Sequence, residues 1–183
     1  MSKQVQLMAW GTLLGFGISG LVLYYYFISQ DVTEVFTAGR YIHIQLAVGL
    51  TYGLIAGVFA NYFTKLPPLK KDCERYTSMI KSLNLNNFSI LFLSLCAGIG
   101  EELFFRVALQ PHFGIWFTSI FFVAIHGYLN PRRPVFFYGL MMTVIIAGMG
   151  WIYEEYGFWS TASAHFMVDF YLFHQIYKMN ENT

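Results

Sequence analysis

Charge is scarce in this chain. Of its 183 residues, 11% are Asp, Glu, Lys or Arg, whereas soluble domains carry about 25%. That shortage argues against an ordinary solvated surface. No nucleic-acid partner is expected. The formal net charge is +1, and the basic residues are spread over separate loops instead of gathering on one face. Cysteine is nearly absent. Cys73 lies in a loop and Cys96 in an apolar run, and their spacing supports neither a disulfide framework nor a zinc site. They read as unpaired thiols in a reducing or lipid setting. Internal repeats, low-complexity tracts and a soluble domain are also missing. The N-terminal apolar run, residues 5–28, is too long for the h-region of a secretory signal and has no small-residue cleavage site. It reads as a retained span that ends in the aromatic belt of Tyr24, Tyr25 and Tyr26.

What the chain has in abundance is apolar surface. Hydrophobic residues make up 56% and aromatics 20%, and the mean hydropathy is +0.50. A helix needs about 20 mostly apolar residues to cross a bilayer. Six stretches qualify: 5–28, 41–63, 88–110, 113–129, 135–153 and 158–177. The fourth is short, and Pro111 and Gly114 predict a tight turn into it. The expected fold is an all-α polytopic transmembrane bundle of six spans. Residues 1–87 hold two N-terminal spans and a cytoplasmic loop, and residues 88–183 hold a four-helix core.

The basic residues orient the bundle, because Lys and Arg collect on the cytoplasmic side. Lys3, the five cations between Lys65 and Lys81, Arg132, Arg133 and Lys178 fall on one side. Arg40 falls on the other, and Arg106 lies inside a span. Both termini are therefore expected in the cytoplasm. Pro67 and Pro68 break the second span. Residues 72–85 then read equally well as a surface helix or as a solvated loop. Gly53 with Gly57, and Gly11 with Gly15, make GxxxG pairs that allow close helix contact. Packing within the bundle is preferred over dimerisation for both.

Against this background the intramembrane charges stand out. Ionisable groups in lipid cost several kcal/mol each, roughly. They persist mainly where they pair and perform a task. Glu102 and Arg106 are four residues apart, on one helix face, and are set to pair. Glu101 points about 100° away and is free to face another element. Phe122 and His126 share a face of the fourth span, and His165 and Asp169 share a face of the sixth. At 1.5 Å per residue, Glu101, His165 and Asp169 lie within about 5 Å of the midplane, and His126 about 8 Å toward the cytoplasm. The four are expected to meet in a cavity wetted from the cytoplasmic side, given helix tilt or an offset of the fourth span. His43, His112 and His174 read as interfacial or packing residues, and Glu154 and Glu155 as solvated loop residues.

The ordered set Glu101-Glu102-x-x-x-Arg106, Phe122-x-x-x-His126 and His165-x-x-x-Asp169 resembles the three motifs of the CPBP intramembrane proteases. This is the CAAX prenyl protease-like, bacteriocin-processing or Abi group. The resemblance covers residues 88–177 and includes a motif-free span between the second and third motifs. It implies a glutamate-dependent endopeptidase of the membrane, with no cofactor and no metal. Carried over residue by residue, Glu101 is the general base and His126 its partner in activating water. Glu102, Arg106 and Phe122 support the site, and His165 with the residue at 169 stabilises the oxyanion. The implied partners are membrane lipids and a peptide or protein substrate, prenylated in the eukaryotic members. The short chain and its simple charge asymmetry fit an integral membrane protein of a prokaryotic inner (cell) membrane.

Position 169 departs from the Asn form of the motif. An ionised Asp cannot donate to an oxyanion, so Asp169 either is protonated or holds His165 as a charged donor. The second is preferred. Three other readings remain open from the residues alone. They are a metal-dependent hydrolase, a non-catalytic immunity or adaptor protein, and a proton or ion transporter. The lack of an HExxH helix weighs against the first, the complete motif set against the second, and the missing internal repeat against the third.

Overall fold

Two side-chain caps open the first and the third long helices. The Ser2 hydroxyl accepts from the Val5 N–H (3.3 Å), and Asn86 Oδ1 accepts from the Ser89 N–H (2.8 Å). Each satisfies a backbone donor that a helix start leaves free. The computed structural model describes residues 1–181, with side chains described through residue 179. The described residues form helices and connecting loops without strands. In chain order these are α1 (Lys3–Phe27), α2 (Glu34–Thr37), α3 (Ile42–Thr64), α4 (Pro67–Lys81), α5 (Asn87–Glu102), α6 (Gln110–Ile125), α7 (Val135–Tyr156) and α8 (Phe158–Glu181). A π-helical segment, Leu103–Leu109, joins α5 to α6 without a break.

Four helical runs among the described residues are long and apolar enough to cross a membrane: α1, α3, the run Asn87–Ile125 and α7. The run Asn87–Ile125 has 39 residues. A straight helix of that length would extend about 58 Å, nearly twice the hydrocarbon core. It is not straight. Gly114 takes φ 76° and ψ 168°, a left-handed φ that favours glycine, and the chain reverses there. The rings of Phe105 and Phe122 consequently lie 4.8 Å apart, where a straight helix would separate the residues by about 25 Å. The third and fourth predicted stretches are thus the two arms of one bent run. α8 has the length of a span, 24 residues, but its hydropathy is lowered by the polar row that serves the site.

The loops divide between the two ends of the bundle. At one end α4 packs under the 126–134 connection. The Tyr76 hydroxyl donates to the Gly127 carbonyl (3.4 Å), and Asp72 Oδ2 accepts from the Val135 N–H at the start of α7 (3.3 Å). At the other end Arg40 pairs with Glu155 (2.9 Å). The segment after Pro67 is a helix, and it starts at residue 67, earlier than the expected 72. The two prolines that end α3 occupy the first turn of α4, where a missing N–H costs nothing. Glu154 is not simply solvated, since it accepts from the buried Gln110 Nε2 (3.0 Å).

Glycine sets the two closest helix crossings. On α3, Gly49 and Gly53 lie against the Ser160 and Ala164 carbonyls of α8, where any side chain would collide. On α5, a Cβ at Gly100 would stand 2.6 Å from the Thr12 carbonyl oxygen of α1. Gly57 likewise packs on Tyr171 of α8, so that GxxxG pair serves the bundle as expected. The Gly11–Gly15 pair does not. Nothing lies within 4 Å of either Cβ position, and α1 instead meets Gly100 of α5 and the start of the π-helical segment through Gly17 and Gly20.

Candidate functional site

The site is built where α5 passes into the π-helical segment. Glu101 and Glu102 are the last two residues of α5, and Arg106 lies in the wider turn that follows. Such turns recur at functional positions. No sequence feature announces this one, since Leu-Phe-Phe-Arg-Val-Ala-Leu reads as ordinary apolar helix.

Glu102 is fully enclosed and fully engaged. Its Oε2 accepts from Arg106 Nε at 3.0 Å and from the Thr161 hydroxyl at 2.6 Å. Its Oε1 meets His165 Nδ1 at 2.8 Å. Arg106, also without solvent exposure, donates through Nη2 to the Ile146 carbonyl on α7 (3.3 Å). One buried carboxylate thus ties together α5, α8 and, through Arg106, α7. Thr161 belongs to none of the three motifs. Its signal was the four-residue spacing Thr161, His165, Asp169 along one face of α8.

Glu101 differs from its neighbour in every respect that matters chemically. It is 9% exposed, and its Oε2 has no hydrogen-bond partner. That oxygen stands 3.7 Å from His126 Nε2, too long for a hydrogen bond. Catalytic pairs are often this loose without substrate and tighten in the complex.

His126 is not inside a span, as expected, but is the C-cap of α6. Its Nδ1 donates to the Phe122 carbonyl at 2.7 Å, which leaves Nε2 with the lone pair in the neutral ring and facing Glu101. The Phe122 ring stacks on the imidazole at 4.4 Å and stands edge-on to His165 at 5.6 Å. The Phe-x-x-x-His spacing therefore has a physical meaning: carbonyl and ring of one residue fix the other. The fold-back at Gly114 returns α6 alongside the π-helical segment and brings its C-cap to Glu101. That removes the depth mismatch estimated for a lone straight span.

Asp169 Oδ2 lies 3.7 Å from His165 Nε2. The tight partner of His165 is Glu102, from another helix, and Asp169 flanks the opposite nitrogen. Residue spacing within α8 could not reveal this, because it places residues on a face without showing what faces them. His43 stacks on Tyr41, His112 lies near Phe27 and His174 stacks on Phe170, all away from the four site residues.

Glu101, His126, His165 and Asp169 line one cavity of about 380 Å³. Its remaining wall is mostly apolar, with Met142, Met149 and Leu172 among the lining side chains. It extends to Tyr76 and Ile80 of α4 and to Ile176 and Met179 near the end of α8, the end that carries most of the basic loops. Cys73 is buried in this wall, and burial pushes its thiol up to about 11. Among the described residues, no three His, Cys, Asp or Glu side chains converge as a metal site. The arrangement offers an unengaged carboxylate, an imidazole lone pair beside it and an imidazole braced from behind, all opening on one chamber.

Comparison with known families falls on the same part of the chain. Residues 84–171 match the family model described as type II CAAX prenyl endopeptidase Rce1-like, a stretch that contains all three motifs. The uncharacterized protein YpbD of Bacillus subtilis (strain 168) is 36% identical over 81 residues. That alignment takes in 44% of this chain and 41% of YpbD, so the chain spans about two fifths of that relative. No solved structure matches it.

Proposed function

We propose, from the match of residues 84–171 to the type II CAAX prenyl endopeptidase Rce1-like family model, that this chain is a CAAX-type intramembrane protease that hydrolyses a peptide bond with a water activated by Glu101 and His126. The observation that carries the reading is the division of labour between adjacent carboxylates. Glu102 has every oxygen engaged, whereas Glu101 Oε2 is unpartnered beside His126 Nε2. A base must be within reach of a water and not already committed.

In the proposed reaction a water held between Glu101 and His126 gives its proton to the carboxylate. Its oxygen bonds to the carbonyl carbon, and the π electrons move to the carbonyl oxygen. His165, with a carboxylate at each ring nitrogen, donates from Nε2 to that oxyanion. Collapse restores the carbonyl and breaks the C–N bond, and the proton taken from water passes to the departing nitrogen. The products are a carboxylic acid and an amine. Glu102, Arg106 and Thr161 hold His165 in place, and Asp169 keeps the Nε2 side charged for donation.

The substrate in this reading is a peptide or protein segment that enters from the end capped by α4. The mostly apolar chamber favours a hydrophobic or lipid-bearing segment. The proposed setting is the inner (cell) membrane of a prokaryote, with both termini cytoplasmic. The test is incubation of purified protein, and of its Glu101→Gln variant, with free and lipidated peptide libraries. Mass spectrometry should find cleavage products with the first protein and none with the second.

A further inference from the structure

The site as derived is one donor short. A tetrahedral oxyanion is usually held by two or more donors. His165 Nε2 supplies one, and an ionised Asp169 supplies none. A side chain that belongs to none of the three motifs answers the deficit. Tyr128 lies just past Gly127, whose φ of +81° turns the chain back toward the site. Its ring lies parallel to that of His126 (8° between planes, centroids 6.4 Å apart). Tyr76 packs on it at 5.2 Å and Tyr138 stands edge-on at 5.4 Å, so the ring is held on three sides.

Tyr128 lines the same cavity as Glu101, His126, His165 and Asp169. Buried tyrosines normally engage their hydroxyl. Tyr52 does so with the Ile145 carbonyl at 2.7 Å, and Tyr24 with Glu34 at 3.2 Å. Tyr128 is half-buried and lines the chamber, yet its hydroxyl makes no hydrogen bond among the described residues.

We infer that Tyr128 is a further catalytic donor, whose hydroxyl binds the substrate carbonyl oxygen as negative charge develops on it, opposite His165. The inference rests on the proposed hydrolysis. No proton changes hands at Tyr128: a phenol titrates near about 10, so it enters and leaves the reaction protonated and contributes a hydrogen bond alone.

The experiment compares Tyr128→Phe, Asp169→Asn, the double variant and Glu101→Gln on a fluorogenic hydrophobic peptide cleaved by the unaltered protein. Tyr128→Phe keeps the ring and its packing. It should lower kcat about 100-fold, the usual loss for one oxyanion donor, with KM nearly unchanged. Asn at 169 brings an N–H donor to the same chamber. The double variant should therefore recover at least about tenfold over Tyr128→Phe, which a merely structural role of the hydroxyl would not produce. Unchanged kinetics in Tyr128→Phe, with Glu101→Gln inactive, overturns this inference and leaves the hydrolase reading standing. So does a loss in Tyr128→Phe that Asn at 169 fails to relieve. Full cleavage by Glu101→Gln overturns the reading beneath it.

Discussion

Glu102 Oε1 and His165 Nδ1 are 2.8 Å apart, joined across 63 positions of sequence. The other oxygen of the same carboxylate holds Arg106 and Thr161. This node is structural before it is chemical. Removing one partner of a buried ion pair costs about 3–5 kcal/mol, because the other is left unpaired. Glu102→Gln should therefore lower the unfolding midpoint in detergent and lower activity with it. Glu101→Gln should abolish activity with the midpoint held or raised, since Glu101 Oε2 has no partner to lose. Thermal unfolding followed by tryptophan fluorescence, beside a cleavage assay, separates the two.

Thr161→Val keeps the shape of the side chain and deletes its hydroxyl. The 2.6 Å bond to Glu102 is lost, and a buried hydrogen bond to a charged group contributes about 1.5–3 kcal/mol. The variant should fold with a reduced midpoint and a partial loss of kcat, while Thr161→Ser should retain most of both. Equal behaviour of Val and Ser at this position would remove Thr161 from the support of the site.

Asp169→Asn should keep substantial activity. Asp169 stands 3.7 Å from His165 Nε2, while the tighter hold on that ring comes from Glu102. Asn loses the flanking charge but gains a donor. Steady-state kinetics of the two forms check this, and inactivity of the Asn form would mean that the charge at 169 is indispensable.

Cys73 gives a prediction with a definite pH sign. Its thiol is raised to about 11, chiefly by burial in the cavity wall, whereas an unperturbed thiol titrates near about 8.5. The thiolate is the reactive form. Alkylation of Cys73 at pH 7.5 should be slow and should accelerate about tenfold per pH unit, levelling only near pH 11 instead of pH 8.5. Mass-resolved iodoacetamide labelling against pH measures this in the Cys96→Ser background. A rate that levels off by pH 9 would place the thiol in water.

Gly53→Leu should prevent α3 from seating on α8, because a side chain there would meet the Ala164 carbonyl. Little folded protein should be recovered. Gly11→Leu and Gly15→Leu, with open space around them, should be tolerated.

The motif residues were legible in the sequence because charge in an apolar run is conspicuous and helical spacing assigns faces. Glu102 with Arg106 is a pair that i, i+4 spacing alone predicts, and the structure has it at 3.0 Å. The reversal near Pro111 and Gly114 was legible for a similar reason, since few residues besides glycine take a positive φ. What was hidden is what one helix presents to another. Spacing set Asp169 beside His165, but only packing reveals that Glu102 reaches the other nitrogen. The π-helical turn carries no compositional mark. Thr161 and Tyr128 are ordinary residue types, and their placement gives them weight. Likewise a GxxxG pair permits close approach without naming a partner, so Gly53–Gly57 found α8 and Gly11–Gly15 found none.

The central claim is that Glu101, and not its neighbour, activates water for peptide hydrolysis without a metal. It is tested most directly by cleavage of a hydrophobic peptide in ¹⁸O-labelled water, with and without prior exhaustive chelation. The account predicts a new C-terminal carboxylate carrying ¹⁸O, equal yields in both samples and no product from Glu101→Gln. Product from the Gln variant at the unaltered rate, or loss of cleavage on chelation that added zinc restores, would contradict it.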